Sequence, residues 1–392
     1  MRASALARAA SLAMAVVVAA CGAAEGERGA GVETLGTPLA GLWPAWVSTT
    51  STGVGSREAE LLVLAAEVDG HALRLHVGDE ERVLARGPDW FANWADVPAA
   101  ARDAQGRIWA SWLRRTGDGT YDYAAWIARA GDAPRRLHDD DGPGEHGFVS
   151  LAPLPSGGLV AAWLDGRDHA KPEGAMRVQA RFIDAEGRFG PEILLDERAC
   201  DCCPTSLTPR GDGALVAWRD RDVDERRDIA LAHVAPDGTI QRLEAGLDDG
   251  WRIHGCPVNG AVLASDGERV ALARYTEGGG AARIVLSTAE DPAGPWRWRE
   301  LAREGALGRL DASCGPGGSL SVLWLERVEG VATWMLARWD EIDAGAPPRV
   351  VREIARTTAD RSSGRARLVD LGAQVLVAVP LGEGVQLVRW RP

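Results

Sequence analysis

Short apolar segments recur along the chain at nearly constant spacing. Six of them share one pattern, in which a turn-forming glycine leads into a run of Val, Leu, Ala and Trp, and a seventh copy is weaker. Runs this short, bounded by glycine, are typical of buried strands. The last residues of the copies lie 48, 51, 55, 55, 51 and 54 positions apart. The copies are EAELLVL (58–64), GRIWASW (106–112), GGLVAAW (157–163), DGALVAW (212–218), GERVALA (267–273), GSLSVLW (318–324) and GAQVLVA (372–378).

The residues around each copy predict three further strands. An apolar segment precedes the glycine, as in residues 148–154, and a third strand follows after a polar loop, as in residues 177–183. A turn and a short fourth strand, as in residues 192–195, complete the unit. Four antiparallel strands repeated about every fifty residues describe a blade of a β-propeller. We therefore predict an all-β propeller of seven blades by repeat count, with six as the alternative.

The last copy has only three strands, and a spare strand stands near the start of the chain. That spare strand covers residues 32–40. If it pairs with the last blade, the ring closes and leaves no unpaired edge. The sequence therefore predicts a propeller closed by its N-terminal strand.

The first residues predict a signal peptide rather than part of the fold. An apolar run over residues 12–20 is too short to span a membrane but has the length of a signal sequence. It ends in VAAC (18–21), which resembles the lipobox of bacterial lipoproteins, where the cysteine is lipidated. We expect Cys21 to carry the lipid. The alternative is an ordinary signal peptide with a chance cysteine.

These boundaries give three parts: a lipoprotein signal peptide (1–20), a flexible tether (21–31) and a single propeller domain (32–392). The mature protein is expected to be anchored by lipid to a membrane of a bacterial cell envelope, facing the periplasm or the exterior. The net charge is −12 and no basic stripe exists, so nucleic acid is not expected as a partner. We expect a monomer.

Four cysteines are concentrated in two segments, CDCCP (200–204) and HGCP (254–257), which fall at the same point of successive repeats. We expect the two segments to be neighbours at one mouth of the propeller channel. Three interpretations remain open. The cysteines form a disulfide, most simply Cys203 with Cys256; they are redox-active thiols; or they bind Cu(I) or Zn(II). The metal ligands would come from Cys200, Cys202, Cys203, Cys256 and His254.

Several motifs resemble the sialidase superfamily of BNR-repeat propellers. STAEDPAGPW (287–296) resembles a degenerate Asp-box, a structural turn between the third and fourth strands of a blade. CDCCPT (200–205), RDR (219–221), RDI (227–229) and GCPVNG (255–260) are similar to segments of exported bacterial sialidase-like proteins. The resemblance implies a propeller over about residues 40–392.

The same resemblance implies an exo-α-sialidase type of glycoside hydrolase as one candidate function. Such enzymes carry an Arg-Ile-Pro motif, an arginine triad, an Asp acid/base and a Tyr-Glu pair. The chain has no Arg-Ile-Pro, and Tyr275 with Glu277 is the nearest approach to the Tyr-Glu pair. We therefore favour a non-catalytic protein that binds a ligand, a metal or a partner at the channel mouth, with the sialidase as the alternative.

Polar and aromatic residues at the starts of the innermost strands are the candidate ligand-binding groups. Arginines there suit an anionic carbohydrate such as a sugar acid, and loop tryptophans suit stacking on a sugar or a protein partner. The alternative for the arginines is ion pairing between loops. His138 and His146 flank DDD (139–141), whose spacing matches no calcium motif, and no metal is assigned there. The candidates are Trp94, Asp96, His146, Arg219, Arg221, Asp228, Trp251 and Asn259.

Overall fold

The structure of the protein is a computed structural model that describes residues 31–41, 43–47, 59–169, 171 and 173–392. Within these residues the chain is all β apart from one 3₁₀ turn, Arg361–Ser363. The predicted signal peptide, Cys21 and most of the predicted tether lie outside the described residues. In the described part, no helix has the length and apolar character needed to cross a membrane.

Seven antiparallel sheets follow one another along the chain, as the repeat predicted. The first strand of each sheet contacts the first strands of both neighbouring sheets, so the seven form a closed ring around a central channel. Seven blades are thus confirmed over six. Blade 1 is β2 Trp43–Trp46, β3 Glu60–Glu67, β4 Gly70–Val77 and β5 Glu80–Gly87; blade 2 is β6 Trp90–Phe91, β7 Ala99–Arg102, β8 Ile108–Arg115, β9 Tyr123–Arg129 and β10 Arg135–Arg136; blade 3 is β11 His146–Pro153, β12 Leu159–Asp165, β13 Met176–Ile183 and β14 Ile193–Ala199.

The remaining blades repeat this order. Blade 4 is β15 Ser206–Arg210, β16 Gly213–Arg219, β17 Ile229–Val234 and β18 Ile240–Arg242; blade 5 is β19 Val262–Ser265, β20 Val270–Thr276, β21 Arg283–Ala289 and β22 Arg297–Arg303; blade 6 is β23 Ala306–Cys314, β24 Leu320–Val328, β25 Val331–Trp339 and β26 Val350–Thr357; blade 7 is β27 Arg367–Asp370, β28 Val375–Leu381, β29 Gly384–Trp390 and β1 Val32–Ala40.

The second strand of each blade is the apolar segment that repeats along the sequence, and its side chains pack against the neighbouring blades. Every residue of β12, β16 and β20 is buried, whereas every residue of the outermost strand β18 is exposed. Tryptophans recur at one position of these second strands and pack into the cores between neighbouring blades. Burial of large apolar side chains, each contributing about 2–3 kcal/mol, therefore recurs with the sequence period.

The ring is closed by the N-terminal strand. β1 covers residues Val32–Ala40 and pairs antiparallel with β29, with Val32 opposite Trp390 and Ala40 opposite Gly384. Glu33 forms salt bridges to Arg389 and Arg391 on the same edge. The predicted closure and its bounds are confirmed, and β29 is left with no open edge.

The segment that resembled an Asp-box forms the turn between β21 and β22. Asp291 accepts a hydrogen bond from the Ala293 amide at 3.0 Å, and the Gly294 amide donates to the Asp291 carbonyl at 2.8 Å. The Trp296 indole donates to the Pro292 carbonyl at 3.1 Å. The motif has the structural role that the resemblance implied.

Candidate functional site

The two cysteine segments meet where blades 4 and 5 adjoin at one mouth of the channel. Each segment leads into the first strand of its blade, β15 or β19. The contact is so close that a Cβ atom at Gly260 would lie 2.0 Å from the Pro204 carbonyl oxygen. Only glycine fits at this position, because any side chain would push the two segments apart.

Three cysteine sulfurs form a compact group at this mouth. The Sγ atoms of Cys200, Cys202 and Cys203 all lie within 4.8 Å of one another. The Cys200 Sγ is 3.9 Å from the Cys202 Sγ and 2.6 Å from the Cys203 Sγ. Cys200 and Cys203 are buried, and Cys202 is partly exposed. We call Cys200, Cys202 and Cys203 the thiol cluster.

The other two predicted ligands lie differently from the sequence-based expectation. Cys256 is exposed and its thiol interacts with that of Cys202, so the simplest predicted pairing, Cys203 with Cys256, is replaced by a close approach of Cys203 to Cys200. All five cysteines in the described residues are free. His254 is exposed and is not part of the thiol cluster. The repeat predicted that the two segments are neighbours, but it did not predict which sulfurs approach most closely, because that depends on backbone turns within CDCC.

Among the residues of the thiol cluster, Cys200 is the one on which negative charge is most favoured. Burial opposes charge on Cys200, but hydrogen bonds from the Cys202 and Cys203 thiols and the nearby Arg227 guanidinium hold the pKa of Cys200 well below its usual value. Burial and the hydrogen bond to Cys200 raise the pKa of Cys203. These contacts favour the thiolate form at Cys200, and a thiolate is the form that binds metals or attacks a disulfide.

Arg219 is a buried support beneath the cysteine segments. Its guanidinium donates to the carbonyl oxygens of Asn259 at 2.7 Å and Tyr275 at 2.7 Å, and also to that of Arg227. It is 2% exposed and lies over the Trp251 ring. The side chain proposed as a grip for an anionic ligand is instead bonded to main-chain carbonyls of blades 4 and 5.

The neighbouring charged residues form a chain of ion pairs. Arg221 bonds to Asp201 at 2.9 Å and to Glu225 at 2.8 Å, and Glu225 bonds to Arg227 at 2.6 Å. The pKa of Glu225 is lowered to about 2, first by its hydrogen bond from Arg221. This chain anchors Asp201, inside the CDCC segment, to the loop after β16. Arg221 therefore forms ion pairs between loops, as the alternative interpretation of the arginines expected.

The guanidinium of Arg227 is a positive charge beside the thiol cluster. It is 2% exposed, and in the described part of the chain its Nε and Nη1 atoms have no hydrogen-bond partner of the usual kind. Its guanidinium interacts with the Cys200 sulfur. A buried guanidinium with unused donors beside a thiol favours the thiolate. Arg227 was seen in the sequence as part of a charge cluster, but its role as the counter-charge of Cys200 appears only in space.

Asp228 and Trp251 serve the fold of the loop before the second cysteine segment. The Asp228 Oδ1 accepts hydrogen bonds from the amides of Asp249 at 3.2 Å, Gly250 at 3.0 Å and Trp251 at 3.3 Å. Trp251 is 4% exposed and meets Tyr275 edge to face. Trp251 therefore has no open face for stacking a ligand, in contrast to the expectation for a loop tryptophan.

Trp94 lies on the other side of the channel mouth and remains partly exposed. The guanidinium carbons of Arg309 and Arg361 lie 5.0 Å and 5.8 Å from its ring centroid. These are cation–π distances. Trp94 is thus the one candidate aromatic residue of the two that keeps accessible surface, and two arginines flank it.

Asp96 and Asn259 join successive blades. Asp96 accepts a hydrogen bond from the Phe148 amide at 2.8 Å, and Asn259 accepts one from the Arg309 amide at 2.8 Å. Both amides belong to bulged points of first strands, where φ is 53° at Phe148 and 55° at Arg309. A Cβ at Gly308 would lie 2.2 Å from the Asn259 Oδ1, so glycine permits this approach.

Asp96 also belongs to a buried acidic group at the mouth. The Tyr123 hydroxyl donates to Glu145 at 2.5 Å, and both residues lie near Asp96. Burial raises the pKa of Asp96 to about 8, although the Phe148 amide opposes this, and burial raises the pKa of Glu145 to about 7. Perturbed carboxyl groups of this kind are common at functional sites.

Tyr275 and Glu277 are hydrogen-bonded to each other through the tyrosine hydroxyl. Tyr275 is 7% exposed, and Arg219 is the guanidinium whose charge acts on it. The donors of Arg219 are already bonded to carbonyl oxygens. A Tyr-Glu pair therefore exists in space, but the arginine beside it is bonded to the protein itself.

His146 and Cys314 lie apart from the thiol cluster. His146 is 1% exposed and lies between Asp140 and Asp165. Cys314 is the last residue of β23, whereas the thiol cluster precedes the start of β15, so Cys314 lies at the opposite end of a first strand. Its surroundings are Asp266, Asp370 and Arg269. Cys314 is thus separate from the thiol cluster.

Comparisons with known proteins concern the fold. No protein-family model matches the chain, and no curated protein matches its sequence. Among solved structures, the polysaccharide lyase Uly1 is 9% identical with a TM-score of 0.51, covering 92% of this chain and 98% of its own. A neuraminidase-like protein from A/bat/Guatemala/164/2009 is 8% identical with a TM-score of 0.45, covering 92% of this chain and 94% of its own. An alpha-L-arabinofuranosidase from Fusarium graminearum is 10% identical with a TM-score of 0.47, covering 76% and 92%. At these identities the likeness shows the propeller fold alone.

Proposed function

We propose that this protein is an exported propeller that binds a thiophilic ion, Cu(I) first and Zn(II) second, in the thiol cluster at the channel mouth. The observation that carries the proposal is the set of three sulfurs within 4.8 Å of one another, two of them buried. Thiolate ligands select soft ions of this class. Binding without catalysis is the function that this site supports best.

The sulfur distances fit shared coordination of one ion. Metal–sulfur bonds of about 2.3 Å place two ligand sulfurs about 3.8–4 Å apart in trigonal or tetrahedral geometry. The Cys200 and Cys202 sulfurs are 3.9 Å apart. Cys203, at 2.6 Å from the Cys200 Sγ, must move outward by about 1 Å to join them. Arg227, whose charge lowers the pKa of Cys200, keeps the first ligand in its binding form.

Titration of Cu(I) into the reduced, tag-free protein under anaerobic conditions, in competition with a coloured Cu(I) chelator, tests the proposal. We expect one ion per chain. Cys200→Ser should weaken binding at least about a hundredfold, because it removes the central ligand of the cluster. Cys314→Ser, which changes the cysteine at the other end of a first strand, should bind as the unaltered protein does.

Two results would contradict the metal proposal. Failure to take up Cu(I) or Zn(II), or equal binding by Cys200→Ser, would remove the metal proposal. A count of free thiols on the protein as purified separates the remaining interpretations. A disulfide joining Cys200 to Cys203 that persists without metal would favour the structural or redox alternatives for these cysteines.

We propose further that the protein is a lipoprotein held to the cell envelope through Cys21. The support is the VAAC (18–21) sequence after an apolar run of signal length. Cys21→Ser should move the protein from the membrane fraction to the soluble fraction, which immunoblotting of fractionated cells measures. A variant that stays in the membrane fraction would contradict lipid anchoring. A carbohydrate or protein partner at the mouth would then meet the protein at a membrane surface.

The second candidate is a glycoside hydrolase of the sialidase type. The observation in its favour is that tyrosine hydroxyls are bonded to glutamates at two places, Tyr275 with Glu277 and Tyr123 with Glu145. The second pair lies beside Asp96, a carboxyl group that burial keeps protonated. Against it, Tyr123 is 1% exposed and Arg219 is occupied by main-chain carbonyls. Release of the fluorophore from a fluorogenic sialoside decides between the two.

A further inference from the structure

A second group of ligand-type side chains lies between blades 2 and 3, apart from the thiol cluster. His138 and Asp140 belong to the connection from β10 to β11, and His146 is the first residue of β11. One ligand atom from each of the three lies within 4.8 Å of the others. The two imidazole rings are stacked, with centroids 3.7 Å apart and planes at 12°.

His138 is buried without using its polar atoms. It is 3% exposed, and neither of its ring nitrogens has a hydrogen-bond partner in the part of the chain that the structure describes. A buried polar atom left without a partner costs about 1–3 kcal/mol. A neutral imidazole carries a lone pair on one ring nitrogen, and no described residue donates a hydrogen bond to that of His138. An absent partner that accepts this lone pair would account for the arrangement.

His146 faces a carboxylate from each ring nitrogen. Its Nδ1 lies 3.3 Å from the Asp165 Oδ2, and its Nε2 lies 3.2 Å from the Asp140 Oδ2. A neutral imidazole has one N–H, so it can donate to one carboxylate only. The other nitrogen then directs its lone pair at carboxylate oxygens, which is unfavourable unless a second proton or a metal ion lies between them.

Asp165 places a fixed negative charge beside the Nδ1 atom of His146. Its carboxylate is 0% exposed and accepts hydrogen bonds from the Trp163 indole at 3.0 Å and from the Arg167 Nε at 2.6 Å. The Asp165 Oδ2 lies 3.3 Å from the His146 Nδ1 without the alignment of a hydrogen bond, so this nitrogen also has no hydrogen-bond partner in the described residues. A proton on Nδ1, on the side of this carboxylate, leaves the Nε2 lone pair directed at Asp140, as at metal sites where a carboxylate orients a ligating histidine.

We propose that the His138 ring, the His146 Nε2 and the Asp140 carboxylate bind a divalent transition-metal ion, Zn(II) being the best match, with water as the fourth ligand. Because the lone pairs of two parallel rings do not meet at one ion, the His138 ring turns out of its stack on His146 when the ion binds. Two ligands at about 2.0–2.1 Å from a tetrahedral zinc lie about 3.3 Å apart. The 3.2 Å from the His146 Nε2 to the Asp140 Oδ2 has this length. Two imidazoles and one carboxylate suit zinc and neighbouring divalent ions rather than calcium, which takes oxygen ligands.

The charge around the site suits a dication. Arg136 is paired with Asp141, Arg167 with Asp165 and Glu192, and Arg181 with Asp139. Three arginines therefore stand against five carboxylates once Asp140 is included, which leaves two negative charges. Asp140 is partly exposed, with a side-chain exposure of 25%, so an ion and its water can enter from the surface.

This site differs in chemistry from the thiol cluster, so the two proposals stand or fall separately. It lacks sulfur ligands and requires an ion of borderline hardness. Co(II) distinguishes the two, because bound cobalt shows visible ligand-field bands in either site but sulfur-to-cobalt charge-transfer absorption only with thiolate ligands.

Titration of the whole tag-free protein with Co(II), and then displacement by Zn(II), tests the inference. We expect one Co(II) bound without sulfur charge-transfer absorption, and a rise in Tm with Zn(II). In the Cys200→Ser background, which removes zinc binding by the thiol cluster, Asp140→Asn and His138→Gln should each weaken binding by about tenfold or more and abolish the rise in Tm. His76→Gln is the matched control, since this half-buried histidine lies 3.9 Å from Glu81 in blade 1, outside the site.

His138→Gln breaks no hydrogen bond in the described chain, and Asp140 is partly exposed, so at least the second variant should remain folded. The inference is overturned if the Cys200→Ser protein binds no Co(II) or Zn(II), or if adding Asp140→Asn to it leaves their binding as tight as before. It is also overturned if all bound cobalt shows sulfur charge transfer that Cys200→Ser abolishes. That last result would leave the thiol-cluster proposal standing and remove this one.

Discussion

Deletion of residues 32–40 is expected to lower the free energy of unfolding by several kcal/mol, whereas deletion of residues 22–30 is expected to leave it unchanged. The first deletion removes all of β1 and its ladder with β29. Each lost backbone hydrogen bond costs about 0.5–1.5 kcal/mol, and the exposed edge of β29 becomes a site for aggregation. Urea denaturation followed by tryptophan fluorescence gives both free energies.

The expected loss comes from the ladder and not from the ion pairs on it. Glu33 is an exposed partner of Arg389 and Arg391, with a side-chain exposure of 49%. Exposed pairs of this kind contribute less than about 1 kcal/mol. Glu33→Gln is therefore the control and should be nearly neutral. Equal stability of the two deletion variants would show that β1 does not hold the ring closed.

Asp96→Asn is expected to remove much of the decline in stability between pH 5 and 8. The folded pKa of Asp96 is about 8, well above the value of about 3.9 in an unfolded chain. Between these two values the folded protein holds a proton that the unfolded chain has released, so stability falls as the pH rises. Over three pH units the effect reaches about 4 kcal/mol for one fully shifted group.

Asparagine is a close substitute for the protonated acid and keeps an oxygen for the Phe148 amide. The variant should therefore be more stable than the unaltered protein at pH 8, and the difference should shrink toward pH 5. Thermal unfolding at a series of pH values measures it. Asp141→Asn, at a carboxylate with a side-chain exposure of 96%, should leave the pH dependence unchanged. The same pH dependence in Asp96→Asn would show that Asp96 is ionised in the fold.

The architecture was predictable because the repeat is carried by burial. The second strand of each blade lies in the wall between two neighbours, so its residues must be apolar in every copy, and β16 shows the full pattern. The spare strand was predictable for a related reason, since a three-stranded blade would have left an edge open. Both inferences needed only the order of apolar and turn residues.

The roles of the polar residues at the mouth were less predictable, because sequence does not show which partner a polar side chain meets. Asp96 and Asn259 had the position expected of ligand contacts, yet each bonds to the amide of a bulged residue in the next blade. Arg219 likewise finds main-chain carbonyls. The bulges that expose those amides depend on register shifts in β11 and β23, which the apolar pattern does not encode.

The group of His138, Asp140 and His146 shows an arrangement that motif spacing does not predict. Two histidines eight positions apart on either side of an acidic loop matched no metal motif in the sequence. The turn between β10 and β11 nevertheless stacks their rings and places Asp140 beside them. The informative feature of the sequence was the composition of this segment, two histidines around three aspartates. Their spacing is set by the connection from β10 to β11, which the sequence alone does not show.

The pairing of β1 with β29 ties the order of synthesis to the completion of the fold. Val32 lies opposite Trp390, so the first strand of the described residues has their last strand as its partner. Because a chain is synthesised from its N-terminus, β1 must stay unpaired until β29 has been made. Blades 1 to 6 can assemble meanwhile, because each is built from consecutive strands. The ring closes only after β29 has been made. A chain truncated before β29 therefore leaves β1 without its partner, just as a chain without β1 leaves β29 with an open edge.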